Sequence, residues 1–326
     1  LYTNIKLSIS GVLDCFFDDI RNKSNLFSLN IFYRKFICKD IKKEDFKDLL
    51  GDDNLEIVEE DDFAHVELVH YFSIFKDSNV IASKKLIRNK NKKNIAVLRA
   101  FSLELPIYSK DITFYSFDGS WLFERSRHEA RIQGGSYMID SKIGSSSNRH
   151  NPFVELYDHE NKMFYGFNLI FSGNHKEILN VTNIWHSSFL SGINDFGFKY
   201  ELKENEEFMT PEAIMVIDKK LDGITSEMHG FVNNHIIDPK FKEVEKPVLY
   251  NSWEGTGMNI DEKFLTDMAD VAKEVGIEQF VMDDGWFGKR DNDYAGLGDW
   301  VVNKDKIKCG LHDLVKQVND LDMKFG

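Results

Sequence analysis

The chain has 326 residues, 42% hydrophobic and 29% charged, enough for two domains that each bury a core. Its formal net charge of −13 excludes a generally phosphate-neutralising, nucleic-acid-binding surface. No apolar run reaches the roughly 18 residues that a membrane-crossing helix needs.

Cys15, Cys38 and Cys309 are widely spaced and form no CxxC pattern. That argues against a disulfide framework or a zinc site and favours a reducing, cytoplasmic compartment. The opening Leu1-Tyr2-Thr3-Asn4 has neither an initiator Met nor a signal-peptide profile, and a missing start could have carried a signal, which leaves the compartment open.

From Leu55 to about Tyr200 the chain reads as short strands separated by turns. The acidic run Glu59-Glu60-Asp61-Asp62 is expected in solvent and lacks the spacing of a calcium loop. Val66 to Phe75 and Asn94 to Phe101 mix β-branched and aromatic residues as strands do. Between them, Lys90-Asn91-Lys92-Lys93 is a solvated hairpin tip. Ile112 to Phe117 runs into the turn signal Asp118-Gly119, and Met163 to Phe171 and Glu177 to Val181 continue the pattern. Ala213 to Ile217 is the last such strand, and Gly223 to His235 is helical. Many strands with few helices predict a large antiparallel sandwich over residues 1–240, with a short helical linker near 223–240.

Past Pro247 the pattern changes to strand, helix, strand, helix. Val248-Leu249-Tyr250 ends in Asn251-Ser252-Trp253-Glu254, and Phe280-Val281-Met282 ends in Asp283-Asp284-Gly285-Trp286. Between them, Phe264, Leu265, Met268, Val271, Ala272 and Val275 fall at helical spacing over Asp261 to Val275. Asn259 is the expected N-cap, with Glu262 completing an approximate capping box. Leu311 to Leu321 is a second helix, and Met323 to Gly326 opens a third strand. Residues 247–326 thus read as the beginning of a parallel α/β barrel, in which chemistry sits where strands end. Adjacent carboxylates flanked by tryptophans at such a strand end suit the hydroxyls and the apolar face of a sugar.

Three blocks in order carry a family likeness: Lys246 to Glu254, Asp283 to Arg290, and Leu297-Gly298-Asp299-Trp300. Gly134, Gly144-Ser145-Ser146-Ser147, His150-Asn151-Pro152-Phe153 and Tyr165-Gly166-Phe167 add to them. In these the chain resembles the α-galactosidases of glycoside hydrolase family 36, from about Leu86 to Gly326, while the segment before Leu55 matches poorly. The resemblance implies a multidomain β plus α/β protein, a β-supersandwich followed by the first strands and helices of a (β/α)8 TIM barrel. It implies a retaining hydrolase that releases terminal α-linked galactose from melibiose- and raffinose-type sugars with two aspartates, no metal and no cofactor. It also implies that nucleophile and acid/base both lie beyond Gly326, leaving none of the catalytic residues in this chain and the chain alone inactive. The full-length form is expected to be a homo-oligomer, a tetramer, with no nucleic-acid or membrane partner.

Asp283 and Asp284 are not expected to be the catalytic pair, because neighbouring strand residues face opposite sides. The family motif instead assigns both to galactose hydroxyls at C4 and C6, and Trp253 to the border of the galactose pocket. Ser252 and Gly255 stand where the family has Asn and Ala, which points to a changed pocket shape or aglycone preference. Trp286 and Trp300 are equally compatible with the core. His128, Glu129 and His150 lack metal-ligand spacing, and Ser145-Ser146-Ser147 lacks a nucleophile context. Alternatives are a noncatalytic galactoside-binding or scaffold protein, an α-N-acetylgalactosaminidase, or a galactosyl-transferring synthase of the same family.

Overall fold

The computed structural model describes residues 30–31, 34–35, 37–43, 53–61, 64–184 and 187–326. Leu1 to Asn4, Cys15 and Asp62, singled out above, lie outside them. The chain divides into two compact units, Leu1–Asp238 and Pro239–Gly326.

The first unit is built on a ten-stranded antiparallel sheet facing a four-stranded one. In the larger sheet the strands run in the order Ser126–Ile132, Ile112–Asp118, His150–Asp158, Met163–Ile170, Glu212–Asp218, Ile81–Asn89, Val66–Ile74, Asp53–Asp61 and Ile37–Lys43, with Glu207–Met209 also pairing to Ile81–Asn89. The smaller sheet runs Gly135–Asp140, His175–Val181, Ser187–Ile193, Ala100–Ile107. Alternation makes the two faces: every second residue of His175–Val181 is buried. The core between the sheets includes Phe114, Leu156, Phe167 and Leu169 from one and Leu103, Leu179 and Phe189 from the other. Phe167 stacks on Phe189 with centroids 4.0 Å apart.

The helix Leu221–Phe231 packs Ile224, Met228 and Phe231 onto the larger sheet. Gly166 permits this contact, since a Cβ there would fall 2.3 Å from Ile224 Cγ2.

Three expectations for this unit fail. Lys90 to Lys93 does not tip a hairpin, because the strands on either side of it, Ile81–Asn89 and Ile95–Val97, pair with other strands and not with each other. The strand read over Asn94 to Phe101 is two strands: Ile95–Val97 pairs with Tyr200–Leu202, and Ala100–Ile107 joins the four-stranded sheet. The chain changes sheets at Leu98 and Arg99, both exposed. The acidic run beginning at Glu59 is also not wholly in solvent, because Asp53–Asp61 is paired on both sides and Glu59 and Asp61 are buried. Glu59 Oε2 lies 3.3 Å from His70 Nε2, and burial pushes the His70 imidazole below its usual range.

The Ser-rich segment after Gly144 is tied down by a buried pair. His175 Nδ1 meets Glu177 Oε2 at 2.6 Å, and its Nε2 faces the carbonyls of Ser146 at 2.6 Å and His150 at 3.1 Å. The segment's part in the sandwich is therefore architectural.

In the second unit, Leu249–Asn251, Gln279–Val281 and Lys324–Phe325 form a parallel three-stranded sheet with Gln279–Val281 in the middle. Helices Glu262–Glu274 and Leu311–Asp320 connect them, the alternation of an opening barrel. Phe280, Leu265, Leu314 and Val318 are fully or almost fully buried in one core, joined by Ile260 and Ile307 from the loops. The N-cap of the first helix is Asp261, not Asn259: its carboxylate accepts the Phe264 N–H at 2.8 Å. Glu262 instead reaches the Cys309 N–H at 2.8 Å, pulling the following loop onto the helix start. No helix among the described residues is long and apolar enough to cross a membrane.

Candidate functional site

At the C-terminal ends of the parallel strands, polar side chains replace the apolar run. Asn251 is the last residue of its strand, and Asp283 and Asp284 follow the central strand by way of Met282. The backbone turns there because Ser252, fully buried, accepts the Asp283 N–H on its hydroxyl at 3.0 Å. Gly285 continues the turn at φ +94°, and a Cβ on it would fall 2.8 Å from Met258 Cα. Leaving the strand at Met282 frees the two carboxylates from strict alternation.

Each carboxylate is oriented by a different partner. Asn251 Nδ2 donates to Asp283 Oδ2 at 2.7 Å, while Asn251 Oδ1 accepts the Trp253 N–H at 2.8 Å. One amide thus fixes Asp283 and Trp253 relative to each other. Asp283 Oδ1 accepts the Asp284 N–H at 2.7 Å. Asp284 lies in the fork of Arg290, whose Nε is 3.0 Å from both oxygens and whose Nη2 is 2.8 Å from Oδ2; Gly285 N–H adds 2.7 Å to Oδ1. The guanidinium holds the Asp284 carboxyl well below the usual carboxylate range, helped by the Gly285 amide. An acid/base catalyst needs the opposite shift, so Asp284 suits accepting hydrogen bonds rather than donating a proton.

An acceptor inventory shows what is left over. A carboxylate has about four lone-pair sites. On Asp283 each oxygen has one protein donor, leaving one site per oxygen. Asp284 keeps less, because Arg290 and Gly285 take most of it. Both side chains are part-exposed, so ligand hydroxyls have access to the remaining sites.

Among the tryptophans, Trp253 starts the short helix Trp253–Thr256 and is 39% exposed. Trp286 is half-buried against the unit's core, whereas Trp300 is exposed and packs on Phe287 at 4.6 Å. Burial pushes the Cys309 thiol up, away from the thiolate form a reactive cysteine needs.

Asn251 and Arg290 stand inside two of the motif blocks with no role assigned to them by sequence, and Lys306 stands outside all three. Arg290 had a readable signal, an arginine six residues after an aspartate pair at a strand end; Lys306 had none. Ser252, expected to alter pocket shape or aglycone preference, is fully buried with its hydroxyl on the Asp283 N–H.

A recess of about 490 Å³ lies at the opposite, N-terminal ends of the strands, lined by Pro247, Lys273, Glu278, Asp322 and Lys324 among others. In barrels that face serves stability rather than chemistry. Among the described residues no group of three or more His, Cys, Asp or Glu side chains is placed to hold a metal ion.

Comparison with known proteins converges on one family. Residues 27–203 match the model of the glycosyl hydrolase family 36 N-terminal domain, and residues 207–326 match that of melibiase. The chain is 34% identical to the α-galactosidase Mel36A of Lactobacillus acidophilus, covering 94% of this chain but 44% of that protein. It is 34% identical to α-galactosidase AgaA of Geobacillus stearothermophilus, covering 84% of this chain and 38% of AgaA. The crystal structure of family 36 α-galactosidase AgaB from G. stearothermophilus superposes with a TM-score of 0.83 at 32% identity, over 90% of this chain and 43% of that one. The chain therefore spans less than half the length of these relatives.

Proposed function

This chain belongs to glycosyl hydrolase family 36, and from that membership we propose that it forms part of a retaining α-galactosidase acting on melibiose- and raffinose-type oligosaccharides. Its relatives of known activity are α-galactosidases, and AgaA variants have been crystallised with raffinose and with stachyose. The observation that carries the reading is the pair Asp283 and Asp284, each oriented by its own partner, with Asp283 keeping an open acceptor site on each oxygen, beside the part-exposed Trp253.

In this reading the free acceptor sites of Asp283 and Asp284 take galactose hydroxyls at C4 and C6, and Trp253 covers the sugar's C–H face. An epimer with a misplaced hydroxyl leaves a carboxylate unpaired, which is the basis of selection. The nucleophile and acid/base belong to later barrel strands, beyond Gly326, and act by double displacement. Residues 1–240 are the supersandwich and 247–326 the opening of the catalytic barrel; the chain alone is inactive. The working protein is a cytoplasmic homotetramer that uses neither cofactor nor metal.

The test is made on the protein as its source makes it. Intact mass is measured together with galactose release from melibiose, raffinose and p-nitrophenyl α-galactoside, with p-nitrophenyl α-glucoside and the N-acetylgalactosaminide as controls. Galactose released with its anomeric configuration retained, by a protein near twice the 37.9 kDa of this chain, is the expected result. Preference for the N-acetyl sugar redirects the reading to an α-N-acetylgalactosaminidase. Galactose binding without release from any substrate removes the hydrolase reading and leaves a binding protein.

A further inference from the structure

The loop that follows Asp284 carries a cation with no direct part in holding a sugar. Lys306 is largely buried, and its ammonium donates to the carbonyls of Met258 at 3.1 Å, Gly285 at 2.8 Å and Arg290 at 3.2 Å. Its Nζ is also 2.8 Å from Asp291 Oδ1.

The three carbonyls come from different places. Met258 follows the first strand, Gly285 is the residue after Asp284, and Arg290 is the residue whose fork grips Asp284. Arg290 is committed elsewhere too, since its Nη1 donates to the carbonyls of Asn292 at 2.8 Å and Ala295 at 3.0 Å. The guanidinium is thus aimed by its own loop, and the loop is pinned by Lys306. The Lys306 carbonyl separately accepts the Glu262 N–H at 2.8 Å, so its backbone is anchored without the ammonium. Burying an ammonium is costly unless acceptors converge on it. Here three carbonyls converge on it, and two of them belong to Gly285 and Arg290, the residues that donate to Asp284.

We infer that Lys306 is a positioning residue for the acidic pair: by holding Gly285 and Arg290 in one geometry, it fixes the Asp284 carboxylate for its ligand. The inference rests on the galactoside reading of Asp283 and Asp284. The charged groups around Asp284 are Asp283 beside it, Arg290 and Lys306 on the loop, and Asp291 and Asp293 as the outer partners of those two cations. Lys306 adds to the depression of the Asp284 carboxyl that Arg290 dominates. Removing the ammonium therefore raises that carboxyl's pKa, and the ionised acceptor is lost sooner as pH falls.

Lys306→Met and Lys306→Arg are made in the protein as its source makes it and assayed with p-nitrophenyl α-galactoside. In Lys306→Met, KM rises about tenfold while kcat stays within about twofold, and the acid limb of kcat/KM moves up. Lys306→Arg recovers most of the KM, and both variants melt within a few degrees of the parent. A wild-type KM and acid limb in Lys306→Met overturns the inference. So does a joint loss of kcat and KM that follows a lowered melting point and is not rescued by Arg. If the parent neither turns over nor binds galactose, the galactoside reading is what has failed. The Asp284 carboxyl titration, followed by carbon NMR, then decides whether Lys306 acts on it: an upward move in Lys306→Met supports the inference, and no move removes it.

Discussion

Glu177 in the sandwich and Asp283 at the strand ends are both carboxylates on β-structure, yet their surroundings differ in one decisive respect. Glu177 is fully buried, with Oε2 on His175 Nδ1 at 2.6 Å and Oε1 receiving Ser191 Oγ at 3.2 Å. Its partner's other nitrogen ends on two carbonyls, so the network closes within the protein. Asp283 and Asp284 are oriented just as firmly, by Asn251 and Arg290, but acceptor sites remain and the side chains reach solvent. A carboxylate satisfied inside the fold holds loops together; one that is fixed but unfinished is available to a ligand. Reading the donors around each oxygen separates the two cases where residue type alone does not.

The sharpest way to break the comparison is to remove each carboxylate partner in turn and see which property moves. Asp283→Ala deletes the acceptor with the most unfilled sites and leaves Asn251 Nδ2 without its partner. Activity of the protein as its source makes it should fall at least about 100-fold in kcat/KM on p-nitrophenyl α-galactoside, with little change in unfolding midpoint. Retained activity would put the sugar elsewhere.

His175→Ala should do the reverse. It leaves Glu177 buried without its charged partner, a loss of about 3–5 kcal/mol in unfolding free energy, while KM in the surviving folded protein stays unchanged. The pair also has a pH signature. Burial opposes the His175 charge, but its bonds to Glu177 and to the two carbonyls outweigh that and raise its pKa above 6.5. A raised folded pKa gives stability that is complete below the unfolded value of 6.5 and is lost as pH rises through the folded one. Urea unfolding should therefore show parent stability declining on the alkaline side of 6.5, a decline that His175→Ala lacks. Parallel curves for the two proteins would mean that the pair does not hold its proton more tightly when folded.

Much of this contrast was legible in the sequence, though not evenly. The strands at Val66, Ile112, Met163, Glu177 and Ala213 and the two longer second-unit helices were readable because β-branched runs and three-four spacing report the covered face directly, whereas Ile81–Asn89, Ser126–Ile132, Gly135–Asp140, His150–Asp158 and Ser187–Ile193 were not read. The break at Leu98 and Arg99 was not, since a chain that changes sheets keeps strand-like composition on both sides. Glu59 was misjudged because charge predicts solvent only until a buried His70 stands opposite. The N-cap expected at Asn259 falls instead on Asp261, two residues on, whose carboxylate accepts the Phe264 N–H. At the site, Asp283 and Asp284 stood in one motif and Trp253 in another, whereas Lys306 reaches them through a loop closure that no local pattern encodes.

Ser252 gives the smallest and most discriminating test, because it pits a supporting role against a pocket-lining one. Its hydroxyl accepts the Asp283 N–H at 3.0 Å from a fully buried position. In Ser191 the same chemical group donates to a closed network; in Ser252 it sets the backbone beneath an open carboxylate. Ser252→Ala should remove one hydrogen bond, about 1 kcal/mol, and lower kcat/KM about fivefold on every α-galactoside alike. Because the Ser252 side chain is fully buried on the Asp283 N–H, Ser252→Asn should likewise leave the ratio of raffinose to p-nitrophenyl α-galactoside turnover unchanged. A shift in that ratio would show that this position contacts the aglycone, and that the turn under Asp283 is part of the binding surface rather than its support.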